Sequence, residues 1–235
     1  MENLIETKQL ITDSKNIYLV TSQEPEAITS TLALFYTLKD LGKNVNLIID
    51  SLPENLNFLA PSLDFISYPK NFVVSIPNNV AQISQIYYEK NDDALKIHLT
   101  LEGGAIKKDN ISFYFAEGKP DLIITIGIKD YQKELSSKLN SFGFLLDSPI
   151  VDIDNSQDNQ KFGKINLITD GSLSEIIIGI IESYTKEAAD CILTGLVIYT
   201  ENFKNKLTAE IFQITSDLMK KGADIKQITN NIKLS

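Results

Sequence analysis

Short apolar runs alternate with segments of helical periodicity along most of the chain. Mostly apolar runs typical of buried parallel strands occur at residues 17–21, 44–50, 64–68, 121–127, 149–154 and 165–169. Apolar residues at helical spacing predict helices at 4–14, 26–41, 130–140, 172–184, 186–198, 208–221 and 224–232. Strands that alternate with helices form a mainly parallel sheet covered on both faces, so the pattern predicts an α/β fold.

A different pattern interrupts this alternation at about residues 69–117. Residues 94–101 alternate strictly between apolar and polar, residues 83–89 alternate less regularly, and the Asn91-Asp92-Asp93 turn signal lies between them. Residues 72–76 and 111–115 are also extended in pattern. We therefore expect an antiparallel β insertion within an α/β domain of residues 1–203, followed by a C-terminal helical segment at 204–235.

Charge and basic-residue usage narrow the classes of ligand. The 235-residue chain has a net charge of −9, and all 22 of its basic residues are lysine. An acidic chain argues against a broad nucleic-acid surface, which needs a basic face. Because arginine is absent, an anion site must use lysine, backbone N–H groups or a helix N-terminus.

The chain has a single histidine, His98, and a single cysteine, Cys191. One cysteine excludes a disulfide within the chain and a cysteine-rich zinc site. The flanking pattern places Cys191 in the apolar face of a helix and His98 on a solvent-facing strand position. The N-terminus lacks a signal pattern and no apolar run approaches about 18 residues, so we expect no membrane span and a cytoplasmic location.

Candidate functional residues follow the predicted strands, because ligands of parallel sheets bind at the carboxyl ends of the strands. Glu24 and Glu26 precede a helix, where their charges are also favourable without any ligand. Asp154 ends a strand, where a side chain that caps its own turn is the alternative interpretation. The polar residues expected to hydrogen-bond a small ligand are Asn155, Ser156 and Thr200.

Four segments, residues 17–34, 121–130, 151–175 and 193–203, carry a resemblance to a known family. In order and spacing they are similar to four motifs of the DHH phosphoesterase superfamily, which includes RecJ-like and nanoRNase-like enzymes. Those motifs are a strand followed by His-x-Asn-Pro-Asp-x-Asp, a strand ending in Asp, the Asp-His-His signature, and Gly-Ile-x-x-Asp-Thr-x-x-Phe. The resemblance implies a DHH-like α/β fold and, in active relatives, two Mn²⁺ or Mg²⁺ ions that activate water on a phosphodiester.

Carried over residue by residue, the metal-binding positions of the family are largely replaced. The motif positions fall on Val20, Glu24, Glu26, Gly127, Asp154, Asn155, Ser156 and Tyr199. Three carboxylates are kept, two of them lengthened to Glu, and every imidazole is lost. Imidazole-rich dinuclear sites lose most of their ligands in this way, whereas oxygen ligands alone hold Mg²⁺ or Ca²⁺ weakly. We therefore expect no cofactor, with weak Mg²⁺ binding as the alternative.

Three functions remain open from the sequence. The first is a catalytically degenerate relative that binds a nucleotide or small phosphate ligand, a protein or an active paralogue. The second is a weak metal-dependent phosphoesterase that acts on short oligonucleotides or nucleotides through Glu24, Glu26 and Asp154. The third is an assembly protein, such as a homodimer, that uses the β insertion. Active relatives carry a further C-terminal substrate-binding domain, and we do not expect one here.

Overall fold

The computed structural model describes residues 2–61, 70–117, 119–135 and 148–232, which fall into two units. The first unit comprises Met1–Tyr68 and Lys119–Ser235, and the second comprises Pro69–Gly118. The strand expected at 64–68 and the second half of the helix expected at 130–140 lie outside the described residues. Residues Tyr131–Leu135 form a single π-helical turn.

The first unit is built on a five-stranded parallel sheet in the order β2-β1-β7-β8-β9. Its strands are β1 (Asn16–Thr21), β2 (Asn44–Ile48), β7 (Leu122–Ile126), β8 (Ile150–Asp154) and β9 (Ile165–Ile168). Each coincides with an apolar run in the sequence, because a strand covered on both faces must be apolar on both sides. The predicted α/β fold is confirmed.

The described residues of this unit form six α-helices. They are α1 (Glu2–Asp13), α2 (Pro25–Asp40), α3 (Leu173–Ile180), α4 (Lys186–Tyr199), α5 (Ala209–Lys220) and α6 (Ile225–Asn231), with a 3₁₀ helix at Glu54–Leu59. The single helix expected at 172–184 is wrong in its last turn. Ile181 is extended, and the Thr185 hydroxyl caps α4 by accepting from the Ala188 amide, so α3 stops one turn early.

The two faces of the sheet have different cores. Leu19, Ile124 and Ile153 belong to the larger cluster, in which α2 is buried between the sheet and α4. The opposite face carries a smaller cluster that includes Tyr18, Val20, Ile123 and Ile128. Alternation along β8 places Asp152 and Asp154 on this second face, beside Thr125 of β7. On this face, acidic side chains therefore lie between the smaller core and the carboxyl edge of the sheet.

The second unit consists of two antiparallel ribbons. Strands β3 (Lys70–Ser75) and β6 (Ser112–Glu117) form one, and β4 (Ala81–Lys90) and β5 (Leu95–Gly104) form the other. The β4–β5 turn is held by the Asn91 side chain, which accepts hydrogen bonds from the amides of Asp93 and Ala94. The antiparallel insertion expected from the alternating pattern is confirmed.

Within the described part of the chain, no helix is both long enough and apolar enough to cross a membrane.

Candidate functional site

A cleft of about 400 Å³ opens at the carboxyl edge of the parallel sheet, above the ends of β7 and β8. The structure brings six of the sequence-predicted positions to its wall: Glu24, Glu26, Gly127, Asp154, Asn155 and Tyr199. It also places Lys129, Glu201 and Lys206 there, which the sequence did not single out. Val20, Ser156 and Thr200 do not line the cleft.

The Glu26 carboxylate is held by three hydrogen-bond donors. Oε1 accepts from the Ser172 hydroxyl and from the Leu173 amide, both at 2.7 Å. Oε2 accepts from the Asn155 side-chain amide at 3.2 Å. Ser172 and Leu173 are the N-cap and first residue of α3, so Glu26 adds a negative charge at the start of that helix, beside that of Glu175. Glu26 also lies in the first turn of α2, where the sequence predicts a favourable charge.

Burial raises the pKa of Glu26, and the three hydrogen bonds and the charge of Lys206 oppose that rise. Glu24 is exposed at the N-cap of α2, and its side chain makes no capping hydrogen bond. The two glutamates are therefore not equivalent. One is a fixed structural anion between α2 and α3, and the other projects from the rim of the cleft.

Asp154 is buried at the end of β8 and its two oxygens have separate partners. Oδ1 accepts from the Asn155 backbone amide at 2.8 Å, which is the self-capped turn predicted as the alternative from the sequence. Oδ2 accepts from the Asn159 side chain at 3.1 Å. Asn159 also donates to the carbonyl of Ile128, so Asp154 helps to hold the 155–164 loop on β7.

The resemblance implies a metal-binding aspartate at position 127, where the chain has Gly127 and no room for a side chain. Its φ is +70°, a left-handed conformation that favours glycine. A Cβ atom built there would lie 2.7 Å from the Ala27 Cβ and 2.8 Å from the Ser22 Oγ. The space that a carboxylate would need is filled by these two side chains.

Tyr199 and Lys206 also line the cleft and contact each other. The Tyr199 hydroxyl donates to the Asp170 carbonyl at 3.3 Å, and the Lys206 ammonium lies 4.3 Å from the centre of the tyrosine ring. Burial raises the pKa of Tyr199, and the neighbouring carboxylates add to the rise. Lys206 follows a turn in which Glu201, Asn202 and Phe203 all have positive φ.

Three positions predicted from the sequence, Val20, Ser156 and Thr200, make contacts that support the fold and do not line the cleft. Thr200 is buried, and its hydroxyl donates to the Leu196 carbonyl and accepts from the Phe203 amide, which fixes the turn after α4. The Ser156 hydroxyl accepts from the Asp158 amide within its own loop. Val20 is buried in the smaller core of the sheet.

Asp152 is an acidic residue next to the site that sequence reasoning missed. Its side chain is fully buried, and Oδ1 accepts from the Thr125 hydroxyl at 3.0 Å. Oδ2 has no hydrogen-bond partner among the described residues. Burial raises the pKa of Asp152 to about 7; the hydrogen bond from Thr125 and the nearby side-chain amide of Asn159 oppose this rise, and the charges of Asp154 and Glu134 add to it. An acidic residue inside an otherwise apolar strand was the available signal.

The side chains of the cleft do not fit the dinuclear metal centre that the resemblance implies for active relatives. Glu26 is engaged by three donors, and position 127 has no side chain and no room for one. Among the described residues, no three His, Cys, Asp or Glu side chains are grouped so that they could hold a metal ion.

The histidine and the cysteine lie elsewhere. His98 is in the second unit, where its ring stacks on Tyr87 with the centroids 4.6 Å apart. Cys191 is fully buried in α4, and burial raises the pKa of its thiol well above the usual value. A thiol in this environment stays protonated and unreactive, in agreement with its predicted position on the apolar face of a helix.

Comparison with known proteins identifies the fold. No family model and no curated protein matches the sequence. Among solved structures, the chain is similar to an exopolyphosphatase-related protein from Bacteroides fragilis, with a TM-score of 0.68 and 18% sequence identity. The match covers 99% of this chain and 60% of the other, so this chain spans less than two thirds of that protein's length. The chain shares the α/β fold of that protein.

Proposed function

We propose that the chain is a catalytically degenerate member of the DHH phosphoesterase superfamily that binds a phosphate-bearing ligand and does not hydrolyse it. The observation that carries the proposal is the engagement of Glu26 by the N-terminus of α3. A carboxylate that completes a helix N-terminus would have to give up these bonds before it could coordinate a metal. The closed space at Gly127 supports the same conclusion.

The composition of the cleft favours a nucleoside monophosphate as the ligand. Among the described residues, Lys129 and Lys206 are the two cationic side chains on its wall, and they would bind a phosphate group. Glu24 and Glu201 would accept hydrogen bonds from ribose hydroxyls or base amino groups. A cleft of about 400 Å³ falls in the range of small-molecule sites. Because carboxylates outnumber lysines here, a polyphosphate would meet net repulsion.

Calorimetric titration with AMP and with inorganic polyphosphate tests the ligand class. We expect saturable binding of AMP and an affinity lowered about 10-fold, roughly 1.4 kcal/mol, by Lys206→Gln. Lys204→Gln is the matched control, since Lys204 is exposed in the same turn and does not line the cleft. Equal effects of the two variants, or tighter binding of polyphosphate than of AMP, would contradict the proposed ligand class.

A weak metal-dependent phosphoesterase is the second candidate, because Glu24, Glu26 and Asp154 do line one cleft. The two candidates differ in a Mn²⁺ titration and in a phosphodiesterase assay on short oligonucleotides. The binding proposal expects neither saturable heat at millimolar Mn²⁺ nor turnover. Turnover abolished by Asp154→Asn, together with metal binding lost in Glu26→Gln, would establish the enzyme and overturn the degenerate reading.

A further inference from the structure

The β4–β5 ribbon segregates its side chains onto two unlike faces. Directly opposed residues of an antiparallel pair share a face, and the pairs Ile86–Leu99 and Tyr88–Ile97 lie on one side. Leu95 lies on the same side at the end of the ribbon, opposed to Lys90, whose charge is at the edge of this face. We call the five residues Ile86, Tyr88, Leu95, Ile97 and Leu99 the apolar ribbon face. Four of them are strongly exposed: Ile86 by 69%, Tyr88 by 74%, Leu95 by 61% and Ile97 by 56%.

The other side of the same ribbon is polar and internally paired. Tyr87 stacks on His98, and Glu89 lies 3.7 Å from both Lys96 and His98. Gln85 and Thr100 are opposed on this side. These side chains suit contact with water, so the ribbon has a solvent side and a side that is apolar yet exposed.

A ribbon of this kind needs a covering layer. Two strands alone are marginally stable in water, and an apolar face must pack on another element to contribute to stability. Contiguous exposed apolar patches on folded proteins mark interaction surfaces. The apolar ribbon face therefore has the properties of an interface.

We propose that a second copy of this chain covers the apolar ribbon face, by packing the same face of its own ribbon against it. Such a pairing is isologous and closes into a dimer. The four exposed side chains present on the order of 500 Å² per copy, by the usual area of large apolar side chains. Packing two such faces would bury about 1,000 Å², which reaches the threshold for a specific interface.

Charge favours a second copy over a strongly charged partner. Residues 69–118 contain five lysines and six acidic residues, a net charge of −1, whereas the whole chain carries −9. Two copies therefore meet through the part of the chain with the least mutual repulsion. The pairs at the centre of the face, Ile86–Leu99 and Tyr88–Ile97, have no charge, so a nucleic acid or a highly acidic peptide would gain nothing from it.

Analytical ultracentrifugation over a concentration series tests the dimer on the full chain. We expect a concentration-dependent dimer, a dissociation constant raised at least about 100-fold by Ile86→Lys, and no change in Gln85→Lys. Gln85 is the adjacent exposed residue on the polar side of the same strand, so it is a matched control. Circular dichroism of both variants checks that the chain still folds.

A cysteine cross-link gives an independent measurement. Cys191 is fully buried, so a cysteine introduced by Tyr88→Cys is the reactive thiol of the variant. Mild oxidation is expected to yield a disulfide-linked dimer from Tyr88→Cys and little from Gln85→Cys. A wild-type chain that stays monomeric at high micromolar concentration, or a dimer weakened equally by both lysine variants, would overturn the proposal. Both outcomes leave the proposed cleft function unaffected.

Discussion

Single residues of the same type have different roles at this site because their partners differ. Glu24 and Glu26 lie two positions apart at the start of α2. Glu24 is exposed, whereas Glu26 is enclosed by donors from α3 and from the loop after β8. The sequence places both glutamates near the N-terminus of α2. It does not predict the contact of Glu26 with α3, because Ser172 is 146 residues from Glu26.

Glu26→Gln is expected to destabilise the fold by about 1–2 kcal/mol at neutral pH, because it removes one of the two negative charges at the start of α3 and a charge-assisted hydrogen bond. Glu24→Gln is expected to change the free energy of unfolding by less than about 0.5 kcal/mol, since that side chain is exposed. Urea denaturation measures both. Equal losses in the two variants would show that Glu26 does not support α3.

Asp152 is expected to make stability depend on pH. Its pKa rises from the ordinary 3.8 to about 7 on folding, so between these values the folded state binds more protons than the unfolded state. Protonation of Asp152 therefore stabilises the folded state relative to the ionised form. This stabilisation is fully present below pH 3.8 and is lost as pH rises through about 7.

The variant Asp152→Asn keeps an acceptor for Thr125 and cannot ionise. Relative to wild type, we expect it to gain about 2–4 kcal/mol in the free energy of unfolding between about pH 5 and about pH 8.5. The control is Glu6→Gln, at an exposed position on α1. Its free energy of unfolding should depend on pH in the same way as that of wild type. If the free energy of unfolding of Asp152→Asn also followed the pH dependence of wild type, Asp152 would be ionised in the folded state at neutral pH.

Gly127→Ala is expected to cost about 3 kcal/mol, because it adds both backbone strain and a collision with Ala27 and Ser22. Gly42 has a similar φ of +73°, but a Cβ there would meet nothing within 4 Å. Gly42→Ala should therefore cost only about 1 kcal/mol, the backbone part. Thermal unfolding of the two variants separates the effect of backbone strain from that of the collision. Equal losses of stability would mean that the space at Gly127 is not filled.

At the scale of elements, the sequence predicted strands better than helix ends. A strand buried on both faces must be apolar throughout, so the runs at 17–21 and 149–154 were easily recognised. The break between α3 and α4 was missed because Ile181 and Tyr184 continue the apolar pattern past it. The capping hydroxyl of Thr185, not the periodicity, determines where α4 begins.

Strand ends also explain how much of the site was foreseen. Parallel strands bring their carboxyl ends to one edge, which places Gly127 and Asp154 together whatever the details of the loops. Lys129 and Lys206 were not foreseen. Lys206 reaches the cleft through a turn with consecutive left-handed residues, a conformation that Glu201 and Phe203 do not signal in sequence.

At the scale of the whole molecule, the two proposed surfaces lie in units of different charge. The second unit carries −1 of the total −9, so the first unit carries the remaining −8. Two copies that associate through the second unit still bring two acidic first units into one particle. Repulsion between them should oppose dimerisation at low ionic strength and weaken as salt shortens the screening length.

The dimer is therefore expected to tighten with salt. Raising NaCl from about 0.05 M to about 0.5 M shortens the screening length to a few ångströms and leaves apolar packing intact, so the dissociation constant should fall several-fold. Sedimentation at both salt concentrations measures this, with Gln85→Lys following wild type and Ile86→Lys staying monomeric. An interface held by ion pairs such as those of Glu89 would show the opposite dependence, because salt screens attraction between exposed charges. A dissociation constant that rises with salt would thus assign the contact to the polar side of the ribbon.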